Sequence, residues 1–417
     1  MASLPIPSPQ SQAHSQQLCT LISQTIAQQG GWISFAEFMH RALYTPRLGF
    51  YSGGAQKFGI AGDFVTAPEI SPLFAQTLAN QAAQVLQESK GNILELGAGT
   101  GKLAADLLLQ LQLLNQLPNQ YFILEVSDHL RQIQLETLQI KLPANLLSRV
   151  VWLEKLPIDF IGLIFGNELL DALPVHLVLK NNEAWLERGL TFNADTRDFE
   201  WQDKPLSNLK IADNLDINLQ NGYLTEVCPA AAGLVNSLAD CLKQGVILLI
   251  DYGFGAAEYY HPQRNQGTLM CHYQHYAHSN PLINIGLQDI TAHVNFSQIA
   301  QITNNNDMPC DSHRIRLAGY VTQAQFLINC GILDILQQFP PQDADYIKLA
   351  AAAQKLLSPA EMGELFKVIA FYKCVYEPLI GFKSGDKSYT LWASKSEFIR
   401  DMHLRKSRIN SLLPYNV

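Results

Sequence analysis

Apolar positions along this chain follow two rhythms, and the points where one gives way to the other mark out its organisation. From about Gln16 to His40 the spacing of Leu18, Leu21, Ile22 and Ile26 predicts a helix, broken at Gly30-Gly31. A second helical stretch carries Phe35, Phe38 and Met39 on one face. A loop rich in glycine, proline and aromatic residues then runs from Tyr44 to Pro72, ahead of a helix through Phe74, Leu78, Ala82 and Val85. A loop that long inside a compact chain is usually functional or is a misread element.

Between about 91 and 255 the pattern changes. Short runs rich in Ile, Leu, Val and Phe predict strands at Asn92–Leu96, Tyr121–Val126, Val150–Leu153, Ile161–Phe165 and Gly245–Asp251, with helices over Lys102–Leu114 and His129–Ile140. Strands alternating with helices predict a doubly wound, mainly parallel α/β sheet of Rossmann-like type. Residues about 178–225, with Trp185, Trp201 and many Asn and Asp, read as an antiparallel insertion. Beyond 255 a long His- and Asn-rich loop runs to about 290. Helices follow at Gln323–Asn329 and Asp343–Leu357, then a strand at Phe366–Tyr372. The expected division is a disordered stretch over 1–15, a helical and loop segment over 16–90, and a core over 91–375 with insertions at about 178–225 and 255–320. A C-terminal strand and basic tail would occupy 376–417.

Composition narrows the function classes. The chain has 417 residues, 47% of them hydrophobic, enough for a large core, and a net charge of −8 that argues against a general nucleic-acid binder. Arg400, Arg405, Lys406 and Arg408 form the main basic cluster and read as a solvated tail. No apolar run approaches the roughly 18 residues of a membrane helix. The first formal charge is Glu37, so the N-terminus lacks the basic region of a signal peptide and the Arg-rich face of a transit peptide. Seven scattered cysteines without a C-x-x-C point to a reducing compartment. A cytoplasmic protein is expected.

The strongest chemical signal is Ile93-Leu94-Glu95-Leu96-Gly97-Ala98-Gly99-Thr100-Gly101-Lys102, where a strand runs into a G-x-G-x-G loop and then a helix. Glycines there allow a ligand to approach the backbone, and the helix start offers free N–H groups. A dinucleotide fingerprint would need glycine where Lys102 stands, and a P-loop would need glycine at Leu96 and Ser or Thr at Leu103. Glu95, two residues before the first glycine, would repel a pyrophosphate and suits a cationic ligand such as S-adenosylmethionine. Glu125, at the end of the second strand, can accept both hydroxyls of a ribose, although a nicotinamide dinucleotide would use it equally. Val126 and Ser127 follow it at the same strand end. After the fourth strand come Asn167, Glu168 and Asp171. These acceptors can orient an amine or guanidinium and neutralise charge as a methyl group transfers. The two carboxylates share a face if that segment is helical, with Asn167 as an alternative N-cap.

Several stretches together resemble the MidA-like methyltransferase family, which includes the mitochondrial complex I assembly factor that methylates a protein arginine. They are Gly49-Phe50-Tyr51, Gly62-Asp63-Phe64-Val65-Thr66-Ala67-Pro68-Glu69-Ile70-Ser71, the glycine loop, Glu125-Val126-Ser127, Asn167 to Val175, Asp251-Tyr252-Gly253 and Asp289 to Phe296. Ala75 and Asn295 depart from the family pattern, where Gly and Asp are usual. The resemblance implies a seven-strand methyltransferase core, S-adenosylmethionine as cofactor, and an N-terminal segment over the donor site, with Gly62 and Asp63 lining it. It further implies an arginine of a protein substrate, such as a complex I subunit, as acceptor. Tyr51 and His293 are candidate substrate contacts, with buried aromatic packing as the alternative, and Asp251-Tyr252-Gly253 is expected to wall the pocket. Cys271, His272, His275 and His278 look like a metal cluster but lack the usual ligand pairs, so no metal is expected. An assembly chaperone that keeps the cofactor fold, or a methyltransferase acting on a small molecule, stays open as an alternative. So does a homodimer.

Overall fold

Seven strands make the central sheet, in the order Arg316–Thr322, Phe366–Lys373, Leu242–Phe254, Phe160–Asn167, Asn92–Leu96, Tyr121–Leu124, Val150–Leu153. The pairings from Leu242–Phe254 to Val150–Leu153 are all parallel. Phe366–Lys373 runs antiparallel to both its neighbours. A two-residue strand, Val294–Asn295, adds to the sheet beside Gly253 and Phe254. This is the doubly wound, mainly parallel sheet that the alternating runs predict. The computed structural model describes residues 4–53, 66–182, 184–207, 215, 219–304, 315–375 and 377–392.

The middle strands are apolar on both faces because both faces are covered. Leu163, Phe165, Leu248 and Val368 pack with Leu78, Ala82 and Leu107 of the helices Pro72–Ser89 and Lys102–Leu113. Ile164, Ile247, Leu249 and Phe371 pack on the other side with Val235 and Leu238 of the helix Pro229–Cys241. The chain winds outward from Asn92–Leu96, then returns to place Phe160–Asn167 on that strand's other side. The crevice at such a reversal, beyond the carboxyl ends of the strands, is where open α/β sheets bind ligands.

A five-stranded antiparallel sheet fills the predicted insertion: Ile33–Ser34, Ala184–Asn193, His176–Asn181 and Leu224–Val227 in order, with Asp198–Pro205 pairing Ala184–Asn193. Its first strand comes from the N-terminal segment, through Ile33 opposite Leu190. Phe35, Phe38 and Met39, one face of the helix Phe35–Tyr44, share a core with Leu177, Leu190, Cys271 and Ile290. The N-terminal segment is therefore packed into the molecule.

Two expectations need correction. Disorder over 1–15 gives way to a helix, Pro9–Gln28, with Ser8 accepting from the Ser11 N–H at 3.1 Å. Proline at its start costs no hydrogen bond, and Ser15 Oγ donates to the Ile285 carbonyl at 2.8 Å. The His- and Asn-rich loop contains a hairpin, Met270–Tyr273 and Tyr276–His278, with Asp289–Thr291 on its other side. Its polar residues mask an alternation that buries Cys271 and Tyr273. Of the stretch 376–417 expected to hold a C-terminal strand, the described residues 377–392 form the short 3-10 turns Ile380–Phe382 and Ser388–Leu391, and 393–417 lie outside the described residues. Arg400, Arg405, Lys406 and Arg408 lie outside the described residues.

Candidate active site

A cavity of about 930 Å³ opens beyond the carboxyl ends of Asn92–Leu96, Tyr121–Leu124 and Phe160–Asn167. Its floor is the glycine loop. Gly99 and Gly101 take left-handed conformations, φ +53° and +81°. A Cβ at Gly101 would come within 3.1 Å of the Gln134 backbone, whereas one at Gly99 would meet nothing within 4 Å. Gly99 lines the cavity, so a side chain there would enter ligand space. Lys102, the residue that spoils the dinucleotide fingerprint, donates to the Pro68 carbonyl at 2.5 Å and to Asp106 at 2.9 Å.

The two acids picked from the strand ends both reach this cavity. Glu95 is 2% exposed and accepts from the Tyr121 hydroxyl at 2.7 Å. Burial pushes its carboxyl up to about 7; the Tyr121 bond opposes this and the charge of Glu125 adds to it. Glu125 accepts from the Ser127 N–H at 2.9 Å and from Gln134 Nε2 at 3.0 Å, and burial raises it too. Gln134, which no sequence signal singles out, also donates to the Gly99 carbonyl and accepts from Trp152. Its amide locks the glycine loop to the second strand end. Gly97, Ala98 and Val126 line the same space, Val126 being 81% exposed. Ser127 also lines it, but its hydroxyl is engaged: it donates to the Tyr51 carbonyl and caps the helix Asp128–Lys141. Gly62 and Asp63 lie outside the described residues.

Asn167, Glu168 and Asp171 meet at the other end of the cavity, although not on a helix. Glu168 adopts a left-handed φ of +51°, and the N–H groups of Leu169, Leu170 and Asp171 converge on Asp251 Oδ2 at 2.8 to 3.2 Å. A carboxylate from the adjacent strand thus does what a helix cap would have done. Asn167 Nδ2 donates to Glu168 at 3.0 Å. Asn167 Oδ1 and Asp171 Oδ1 are buried and have no hydrogen-bond partner among the described residues. Burial, reinforced by Asp171, pushes Glu168 up to about 8, and burial raises Asp171 to about 6. Asp251 is raised as well, by burial and by these two neighbours.

The N-terminal segment supplies the remaining wall. Tyr44 and Tyr51 stack with ring centroids 5.5 Å apart. The Tyr44 hydroxyl donates to the Ala172 carbonyl, and that of Tyr51 to Asp289, each at 2.9 Å. Tyr44 and Asp289 line the cavity; Asp289 was legible only as part of a motif, and Tyr44 only as the start of the long loop. His293 does not line it. Its ring packs edge-on to Tyr252 and Phe254, and burial pushes it down to about 4. Asp251 and Tyr252 stand behind the wall, so they brace the pocket without lining it. Asn295 is also away from the cavity, capping the helix Phe296–Ala300. Among the described residues no group of three or more His, Cys, Asp or Glu side chains is set to hold a metal.

This sheet order, with a glycine loop and two strand-end acids around one cavity, defines a class I methyltransferase. A family model described as "Putative S-adenosyl-L-methionine-dependent methyltransferase" matches residues 75–314, and the chain belongs to that family. It is an S-adenosylmethionine-dependent methyltransferase. The chain is 47% identical, with a TM-score of 0.88, to the crystal structure of a "likely methyl transferase from Burkholderia thailandensis bound to S-adenosyl-homocysteine", covering 93% of this chain and 100% of that one. Protein arginine methyltransferase NDUFAF7 of Danio rerio, a mitochondrial protein, is 27% identical over 369 residues, 81% of this chain and 82% of its own. The mitochondrial homologue of Caenorhabditis elegans is 25% identical over 390 residues, 86% and 87% of the two chains. These mitochondrial names overturn the cytoplasmic location expected from the N-terminus and the cysteines. No helix among the described residues is long and apolar enough to cross a membrane.

Proposed function

We propose that this enzyme methylates an arginine of a protein substrate. The observation that carries the reading is the pair of buried oxygens, Asn167 Oδ1 and Asp171 Oδ1, that have no donor among the described residues. Buried acceptors are costly without partners. A guanidinium brings five N–H donors in a rigid fork and a permanent positive charge, which suits two acceptors beside Glu168. Among the described residues that line the cavity, Glu69, Glu95, Glu125, Asp128, Glu168, Asp171 and Asp289 are acids, against Arg47 and His129 as basic side chains. The names of the curated relatives agree with this acceptor. A complex I subunit as the methylated protein rests on the family resemblance.

S-adenosylmethionine, when bound, supplies an electrophilic methyl group on a positively charged sulfur. We assign its backbone contacts to Gly97, Ala98 and Gly99, with Val126 and Ser127 beside its adenosyl part. In this assignment Glu125 accepts its ribose hydroxyls and Glu95 faces its positive charge. At the far end, Asn167 and Asp171 hold two guanidinium N–H groups so that the third nitrogen faces the methyl. Glu168 takes the proton that this nitrogen sheds. The raised values of Glu168 and Asp171 belong to a site without its cation, and a guanidinium between them favours their charged forms.

The test is a labelled-methyl assay on protein acceptors beside a cofactor titration. Glu168→Gln should lower transfer at least about 10²-fold, the scale for losing one stabilising group, with cofactor affinity nearly unchanged. Acid hydrolysis should release the label as methylarginine. Label on lysine or on a carboxylate, or full turnover in the variant, rejects the reading.

A further inference from the structure

The carboxyl end of Leu242–Phe254 grips the turn after its neighbouring strand through two consecutive side chains. Asp251, 1% exposed, gathers the N–H groups of Leu169, Leu170 and Asp171 on Oδ2, while its Oδ1 accepts from the Tyr252 N–H at 2.9 Å. Tyr252 reaches Asp171 by another route, its hydroxyl donating to Asp171 Oδ2 at 2.5 Å. The Glu168 N–H closes the same turn onto the Ile250 carbonyl at 2.8 Å. These bonds leave Oδ1 as the Asp171 oxygen without a partner among the described residues.

We propose that Asp251 and Tyr252 are positioning residues, which fix Asp171 by its backbone and its carboxylate and so reserve its Oδ1 for the methyl acceptor. The proposal rests on the reading of Asp171 as an acceptor-binding group. Two separate holds on one residue, Asp251 on its backbone N–H and Tyr252 on its carboxylate, set its place to the tolerance that methyl transfer needs, where an error of 1 Å is expensive. The hydroxyl bond also opposes the effect of burial on Asp171, which keeps the group charged at a lower pH. Other titratable groups near Asp171 are Glu168 on the same turn, Asp251 on the adjacent strand, Tyr44 and Tyr51 on the N-terminal segment, and Asp289 on the three-stranded sheet. Tyr252→Phe removes a single donor and leaves all of these in place.

The experiment uses the full chain, labelled S-adenosylmethionine, and protein extract from cells lacking this protein as acceptor. In Tyr252→Phe the acidic limb of the transfer rate should move to higher pH by about one unit, because a hydrogen bond to the charged form is lost. Asp251→Asn should lower kcat about tenfold or more while cofactor affinity changes less than about twofold. An unmoved acidic limb in Tyr252→Phe, or wild-type kcat in Asp251→Asn, overturns the proposal. If Tyr252→Phe loses the cofactor altogether, kcat of Asp251→Asn decides. Asp171→Asn, run alongside, separates the two ideas. Full transfer there rejects the acceptor reading itself, whereas lost transfer with an unmoved Tyr252→Phe profile rejects only the positioning role.

Discussion

Gly99 shows how a single position can report a ligand. Its φ of +53° is one that side chains rarely adopt, and the direction a Cβ would take is empty. Most glycines in tight corners exclude a side chain because protein is in the way. Gly99 has no such neighbour, so its constraint comes from the backbone and from whatever fills the cavity. Valine there should cost about 1–2 kcal/mol in backbone strain and should also project methyl groups into cofactor space. Gly99→Val is expected to stay folded and to lose at least about tenfold in S-adenosylmethionine affinity, which calorimetry on the purified variant will show. Unchanged affinity would remove the glycine loop from the cofactor site.

At the scale of elements, Lys102 joins two segments that sequence alone keeps apart. It opens the helix Lys102–Leu113, ties back to the Pro68 carbonyl in the short helix Ala67–Ile70, and pairs with Asp106. Thr100 adds a second tie, donating to Glu69 at 2.6 Å. Lys102→Gly would complete a dinucleotide-type glycine pattern, yet it should confer no measurable NAD affinity, because Glu95 remains to repel the pyrophosphate. It should instead weaken S-adenosylmethionine several-fold by loosening the covering segment. Titrating both cofactors into the variant checks this. The alternating strands and helices from Asn92 to Val150 were legible because each has its own period and buries its own face. The residues of the cofactor floor were legible because glycines and strand-end acids are local signals. What joins elements was not. Gln134 sits in a helix of mostly polar residues, Asp251 lies near the end of an apolar strand, and Tyr44 reads as the start of a loop although it closes the helix Phe35–Tyr44. Their roles come from partners 35, 80 to 82 and 128 positions away. The strand Arg316–Thr322 also went unread, since Arg316, Gly319 and Thr322 dilute its apolar run.

For the whole molecule, the acids around the cavity couple pH, stability and ligand. Glu95, Asp171 and Glu168 are raised to about 7, about 6 and about 8, whereas the unfolded chain loses such protons near pH ~4. Between those limits the folded state binds more protons than the unfolded one, so the stability these three acids contribute falls as pH rises and is lost above about 8. A cationic cofactor favours the charged forms and should offset this loss. The shift in thermal midpoint given by saturating S-adenosylmethionine should therefore be larger at pH 8.5 than at pH 5.5. Scans of the same sample at both values will measure it. An equal or smaller shift at the higher pH would mean that these acids do not sense the cofactor.

The position of Phe366–Lys373 between Leu242–Phe254 and Arg316–Thr322 has a consequence for how the protein is made. During synthesis Arg316–Thr322 leaves the ribosome before the strand that will join it to the sheet exists. Until Phe366–Lys373 is translated, Leu242–Phe254 presents a raw edge, and the turn that holds Asp171 rests on an unfinished sheet. Such edges invite pairing with other chains, and contacts that must wait for distant sequence slow folding. Through that interval both the turn that holds Asp171 and the core beneath the helices Pro72–Ser89 and Lys102–Leu113, which includes Val321, Phe326 and Val368, wait for sequence still to come. Shielding that edge through the interval would favour the enzyme over mispaired chains.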